Sequence, residues 1–292
     1  MARIVGVHGV GQSGNPPPGI VQEWWDAIAL GQSSPGRRAA VTSEDVTVAY
    51  YAPLYRRKGL KGVESDLDVR ELTAPWEQEF VLALAAEAER SAGHGGTATK
   101  FVPVGKNLQR ALDLLLTVPG MGKITESTLI AWFVKEVYRY LHEPAIREGA
   151  RTVVSDAIAA GDTRVVIAHS LGSVVAYEAL SRGSRDVDTL VTVGSPLGLQ
   201  KLIFDQLDPS PKNGRLPWPG TVRRWINLAQ RRDVVAMTKR LAPLVHPGPG
   251  GAMVEDVLVP DPPGLFSAHN AVHYLAQPEL ASALAEVFPP VD

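Results

Sequence analysis

Ser170 is the residue of this chain best placed by its neighbours to act as a nucleophile. It lies in Val165-Val166-Ile167-Ala168-His169-Ser170-Leu171-Gly172-Ser173-Val174-Val175, where an apolar β-branched run meets a helix-forming run across a corner. A serine on so tight a strand-to-helix turn is a nucleophile elbow, with its Oγ expected to be exposed at the carboxyl edge of a sheet and the following N–H facing any oxyanion formed there. Ala168 and Gly172, two residues to either side, are small enough to let strand and helix approach. A serine ahead of an apolar helix is also an ordinary N-cap. The five residues alone leave both readings open, and the remaining chain has to decide.

Acyl transfer needs two backbone donors converging on the tetrahedral oxyanion. The elbow supplies the Leu171 N–H, and a His-Gly loop after an earlier strand supplies the second. His8-Gly9-Val10-Gly11 follows the apolar run Ile4-Val5-Gly6-Val7 and is such a loop, with the Val10 N–H as the second donor. Gly9 to Gly14 also spells G-x-G-x-x-G, the dinucleotide fingerprint. That reading needs a helix to start within the glycines. Here Pro16-Pro17-Pro18 follows and is expected to delay the helix to about Ile20. An acidic residue about twenty positions on is missing, and Gln12 stands where a P-loop has its phosphate-binding lysine. The oxyanion reading is the stronger one.

With His8-Gly9 at the end of one strand and Ala168-His169-Ser170-Leu171-Gly172 at the elbow, the chain resembles the α/β-hydrolase superfamily, and within it the lipase/esterase-like serine hydrolases. The resemblance spans roughly residues 2–52 and 144–290. It implies a triad in the chain order serine, acid, histidine. Asp233, after Trp225-Ile226-Asn227-Leu228, stands where the resemblance puts the acid; its alternative role is an N-cap for a short helix at Val234. His269, in the loop before the last helix, is the expected base, with His273 one turn later as the alternative. His269-x-x-x-His273 is also the spacing of a metal pair. Asn270, however, replaces the glutamate of H-E-x-x-H, and no third ligand is evident. His8 is expected to pack beneath the oxyanion loop and His169 to flank the nucleophile. Ser195, in Gly194-Ser195-Pro196-Leu197, either lines the pocket or belongs to a plain turn. Ala168 departs from the family's first glycine. The family's first two strands have no counterpart, which implies a reduced sheet of about six mainly parallel strands with helices on both faces.

The elements that must hold these residues alternate between strand-like and helix-like runs, the pattern of a parallel α/β sheet. Strands are expected at Arg3 to Val7, Val46 to Tyr51, Val165 to His169, Thr189 to Val193, Val222 to Leu228 and Met253 to Val259. Helices are expected at Val21 to Leu30, Pro144 to Ala160, beyond Ser170 to Arg182, and from about Asn270 to Val287. The alternation stops across about residues 53–142, read as a helical, lid-like insertion in a single domain. Its helices are placed at Pro75 to Arg90, Leu108 to Leu116 and Ser127 to Leu141, with glycines such as Gly93 and Gly120 as hinges. Its apolar stripes, Leu108, Leu112, Leu115 and Leu116 on one helix and Leu129, Trp132, Phe133, Val137 and Tyr140 on another, are either a second core or the roof of an acyl pocket.

Composition sets the outer bounds. The 292 residues are 45% hydrophobic and 21% charged, with a net charge of -2 and no basic run long enough to track phosphates. No nucleic-acid partner is expected. Cysteine is absent, which removes disulfides, thiolate nucleophiles and thiolate metal sites. No apolar stretch of about eighteen residues predicts a membrane span, and a cytoplasmic location is the expectation. The reading is an ester-cleaving serine hydrolase that needs no cofactor or metal and takes a small acyl ester, lipid-like if the insertion forms an acyl pocket. Amide or thioester cleavage by the same triad, or a catalytically silent fold that binds ligands, are the alternatives.

Overall fold

The β-branched runs of the sequence have no polar alternation and become the inner strands of a parallel sheet, covered on both faces, while the edge strand at Glu255–Val259 stays largely exposed. The computed structural model describes residues 2–33, 39–55, 72–91, 111, 124–183, 186–262 and 267–290. Its strands are β1 (Ile4–Val7), β2 (Val46–Ala49), β3 (Val165–His169), β4 (Thr189–Val193), β5 (Arg224–Gln230) and β6 (Glu255–Val259). They form one sheet in the order β2-β1-β3-β4-β5-β6, with every pairing parallel. The chain runs from β1 outward to β2 and then returns to the other side of β1 as β3. The carboxyl ends of β1 and β3 therefore flank the switch point where such sheets bind ligands. The register pairs Val7 with Ala168, bringing His8 and Ser170 out at the same edge.

Helices α1 (Pro17–Gly31), α2 (Pro75–Ser91), α3 (Ile124–His142), α4 (Pro144–Ala159), α5 (Leu171–Arg182), α6 (Ala271–Leu275) and α7 (Pro278–Val287) are among the described elements. One apolar core joins the sheet to α4, α5 and the insertion helices α2 and α3; the other joins the opposite face to α1, α6 and α7. Several boundaries differ from expectation for identifiable reasons. Helix α1 starts at Pro17 rather than about Ile20, because Pro16 is the N-cap and the next prolines occupy first-turn positions whose N–H groups have no intrahelical partner. The prolines start this helix and do not delay it. The expected single closing helix is two, α6 and α7, broken where Pro278 begins the second. Strand β5 starts at Arg224, since Val222 is held in a turn by its N–H to Pro219 O. The expected helix at 108–116 falls outside the described residues except for Ala111, as do the insertion's glycines.

Elbow helix α5 is tied to the insertion through one buried carboxylate. Glu178 accepts the Tyr140 hydroxyl of α3 at 2.5 Å, Arg151 of α4 at 2.6 Å and the Asp208 N–H at 3.0 Å, with Arg147 completing the set. Removing one partner of such a network strands a buried charge.

Gly172 lets α5 reach β1. A Cβ there would lie 2.4 Å from the carbonyl oxygens of both Val7 and His8, backbone atoms that cannot step aside. Gly172→Ala is expected to lose about 1–3 kcal/mol or more of stability and to push the elbow away from the His8 loop. Urea denaturation checks this; an unchanged midpoint would mean that the approach is looser than it looks.

Candidate active site

Ser170 is fully buried rather than exposed, covered by the His8–Gly11 loop and His269, and it leaves β3 at φ 54° and ψ -130°, a strained conformation for a residue with a Cβ. Its N–H bonds Val193 O at 3.1 Å, and its carbonyl accepts the Ser173 N–H at 2.9 Å and the Ser173 hydroxyl at 2.6 Å. Because the Ser173 proton goes to that carbonyl, Ser195 donates its own to Ser173 Oγ at 2.7 Å, and it accepts the Leu197 N–H at 3.3 Å. Ser195, one of whose expected places was the pocket wall, thus stands behind the elbow as a buttress.

The Ser170 side chain faces His269, which closes a one-turn 3-10 helix, Ser267–His269, ahead of α6. His269 Nε2 lies 2.8 Å from Ser170 Oγ, and Nδ1 lies 2.9 Å from Asp233 Oδ2. A carboxylate accepts, so Nδ1 carries the proton and Nε2 offers its lone pair to the serine hydroxyl. Asp233 follows β5 and is fully buried. Its Oδ1 accepts the N–H groups of Val235 at 2.8 Å and Ala236 at 3.1 Å. The capping role open to Asp233 in the sequence is therefore filled by one oxygen while the other serves His269. Burial pushes the Asp233 pKa up, but the His269 ring, the Tyr274 hydroxyl and the nearby Lys239 outweigh it and hold it at about 2. His273 sits half-buried on α6 and bonds neither Ser170 nor Asp233.

Two more histidines hold the frame. The His8 ring stacks on Tyr51 at 4.2 Å, donates from Nδ1 to Gly9 O at 2.7 Å and accepts the Tyr51 N–H at Nε2, while its carbonyl takes the Tyr51 hydroxyl at 2.6 Å. His169 donates from Nε2 to the His269 carbonyl at 2.7 Å, fixing the backbone that carries that ring. Desolvation holds both neutral, His8 buried and His169 half-buried against the cavity: the His8 pKa falls to about 4 and that of His169 to about 3.

The His8–Gly11 loop lies over the serine, since a Cβ on Gly9 would be 2.9 Å from Ser170 Cβ. Leu171 is the first residue of α5, and first-turn N–H groups lack intrahelical acceptors. Val10 borders the adjoining cavity, whose volume is about 500 Å³. The insertion forms the opposite wall through Leu84 of α2 and Ile130, Trp132 and Phe133 of α3. Phe133 meets the His269 ring edge-on at 6.0 Å and stacks on Phe80, which stacks on Trp76. One turn beyond Trp132, Glu136 accepts the Gly11 N–H at 3.2 Å.

Several of these groups escape a motif reading. Tyr274 and Glu136 lie in helices as apparent core and surface residues, and nothing local marks their contacts. Gly194 had a signal, a glycine closing a buried strand. Its φ is 58°, and a Cβ there would stand 2.9 Å from Asp233 Oδ2 and 3.1 Å from His269 Nδ1.

Among the described residues no three His, Asp or Glu side chains gather as a metal site, and no described helix is long and apolar enough to cross a membrane. Comparison with known proteins finds no matching family model, no matching curated protein and no matching solved structure.

The two neutral histidines set an acid limit on stability. Each binds its proton near 6.5 when unfolded but resists it when folded. Their contribution is complete above pH 6.5 and is lost as pH falls toward 4 and 3, at about 1.4 kcal/mol per pH unit for each. Urea denaturation between pH 7 and 5 measures the slope, and His8→Gln is expected to flatten it by about half. An unchanged slope would remove His8 from this account.

Proposed function

We propose that this protein is a serine hydrolase of the α/β-hydrolase kind that cleaves carboxylic esters through an acyl-enzyme. The observation that carries the reading is the unbroken hydrogen-bonded path from Ser170 Oγ through His269 to Asp233, at 2.8 and 2.9 Å. Ser170 Oγ attacks the ester carbonyl carbon while His269 Nε2 takes its proton. Asp233 holds the imidazole in the required tautomer and balances the charge of the imidazolium. The N–H groups of Leu171 and Val10 receive the oxyanion. His269 then protonates the departing alcohol, and a water molecule, deprotonated by the same nitrogen, releases the acid and restores Ser170.

Turnover of p-nitrophenyl esters tests the proposal. Ser170→Ala is expected to lower kcat by up to about six orders of magnitude while leaving the fold intact, with roughly 10³–10⁴-fold catalysis over water left from the oxyanion site and binding. His269→Ala should match it, whereas His273→Ala should keep most activity. The opposite ranking of the two histidines would move the base to His273, and full activity in Ser170→Ala would remove the mechanism.

Leu84, Ile130, Trp132 and Phe133 suit the wall of an acyl pocket. The acyl group is accordingly the apolar part of the substrate. Each methylene buried there contributes about 0.8 kcal/mol, so kcat/KM should rise about fourfold per methylene from acetate until the cavity fills. Trp132→Ala should flatten that series more than it slows acetate. A series flat from acetate upward in the unmutated protein would take the insertion out of substrate binding.

A further inference from the structure

Asp233 has a hydrogen-bond partner that a Ser–His–Asp triad does not call for. The Tyr274 hydroxyl lies 2.7 Å from Oδ2, the oxygen that also receives His269 Nδ1 at 2.9 Å. Tyr274 is fully buried on α6, five residues after the base, so one short segment delivers both groups to a single carboxylate oxygen. Its own oxygen accepts the Gln230 N–H at 3.1 Å. A phenol has one proton. With the Gln230 N–H on its lone pair, Tyr274 directs that proton at Asp233.

We infer that Tyr274 is a positioning residue of the active site, fixing Oδ2 of Asp233 and sharing its charge with His269. The inference rests on the Asp233–His269 pair acting as proposed above. The turn after β5 holds Oδ1 through the N–H groups of Val235 and Ala236, and apart from His269 it is Tyr274 that holds Oδ2. Clamped at both oxygens, the carboxylate cannot rotate about its Cβ–Cγ bond, and the imidazole it supports keeps its aim at Ser170. The donated proton also spreads the charge on Oδ2, which keeps Asp233 from drawing the Nδ1 proton across when His269 becomes an imidazolium. Burial and the neighbouring Asp233 push the Tyr274 pKa well above the ordinary phenol value, so the hydroxyl remains a donor. Other charged and titratable groups facing this assembly are Lys239, whose ammonium meets the Asp233 carbonyl, His169 on the His269 carbonyl, and Asp261, whose charge acts on Tyr274. Gly194 makes the room, for a Cβ there would stand 3.2 Å from the Tyr274 ring.

The test follows the His269 ring by NMR through a pH titration in Ser170→Ala protein, where no turnover is needed. Tyr274→Phe removes the donor, so Oδ2 supports the imidazolium more strongly and the ring should hold its proton to higher pH. Replacing Tyr274 by 3-fluorotyrosine keeps the bulk and strengthens the donor, so the ring should release its proton at lower pH. A ring titration unmoved by both changes overturns the inference. If Tyr274→Phe does not fold, because the Gln230 N–H is left unpaired in the core, the fluorotyrosine protein decides alone. In the active protein Tyr274→Phe is expected to lower kcat about tenfold with little change in KM. In an Asp233→Ala background the same change should cost less than about twofold, because residues acting as one unit are not additive. Equal losses in both backgrounds would make Tyr274 a packing residue. A protein that never turns over an ester would sink the hydrolase reading and leave the NMR titration standing, so the two failures are distinct.

Discussion

The arrangement depends on a serine held where serines do not rest. At φ 54° and ψ -130° Ser170 occupies backbone space that costs of order 1–3 kcal/mol for a residue with a Cβ. Such a turn persists when its surroundings over-determine it, and they do so here from three directions. The Val193 carbonyl takes the Ser170 N–H, the Ser173 N–H and hydroxyl, the latter backed by Ser195, donate to its carbonyl, and Gly172 seats α5 directly on the end of β1. The strain has a product: it turns Oγ toward His269 and brings the first N–H of α5 alongside. Sheet order then supplies the remainder, because the switch between β1 and β3 sets the His8–Gly11 loop beside that corner.

A second constraint is electrostatic. Asp233 is anionic with no exposure to water, while His8 is buried, His169 half-buried, and both are neutral. Each is tolerable because its hydrogen bonds are assigned: four donors on Asp233, a donor and an acceptor on the His8 ring, and a carbonyl for His169 Nε2. The charge state of the site is thereby fixed before any ligand arrives, which is the condition for electrostatic stabilisation without reorganisation. The insertion takes part in this. Phe133 covers the His269 ring, Glu136 holds the Gly11 N–H, and Tyr140 reaches Glu178 under the elbow. Helix α3 thus touches His269, the His8–Gly11 loop and helix α5 at once.

What the sequence discloses divides along the range of the interactions. The six strands, the elbow and the His-Gly loop are readable because each is written in consecutive residues: β-branched runs, small residues flanking Ser170, glycines after β1. Asp233 and His269 are singled out by the resemblance, which implies an acid and a histidine after the later strands, and the structure brings both to Ser170. Tyr274, Glu136 and Glu178 are not, since a tyrosine or glutamate in an amphipathic helix looks alike whether it meets a carboxylate, a loop amide or water. Pro16-Pro17-Pro18 misleads for a different reason, the same residue being a breaker inside a helix and a starter at its first turn. The division of the last helix at Pro278 was legible by that same rule.

The central claim is that Ser170 is an activated nucleophile. The direct measurement is exposure of the folded protein to a fluorophosphonate, followed by intact mass and peptide mapping, with a urea-unfolded sample as control. The account predicts one adduct per chain, located on Ser170, lost in His269→Ala and absent after unfolding. A folded protein with no adduct, or with its adduct on another residue, would contradict it.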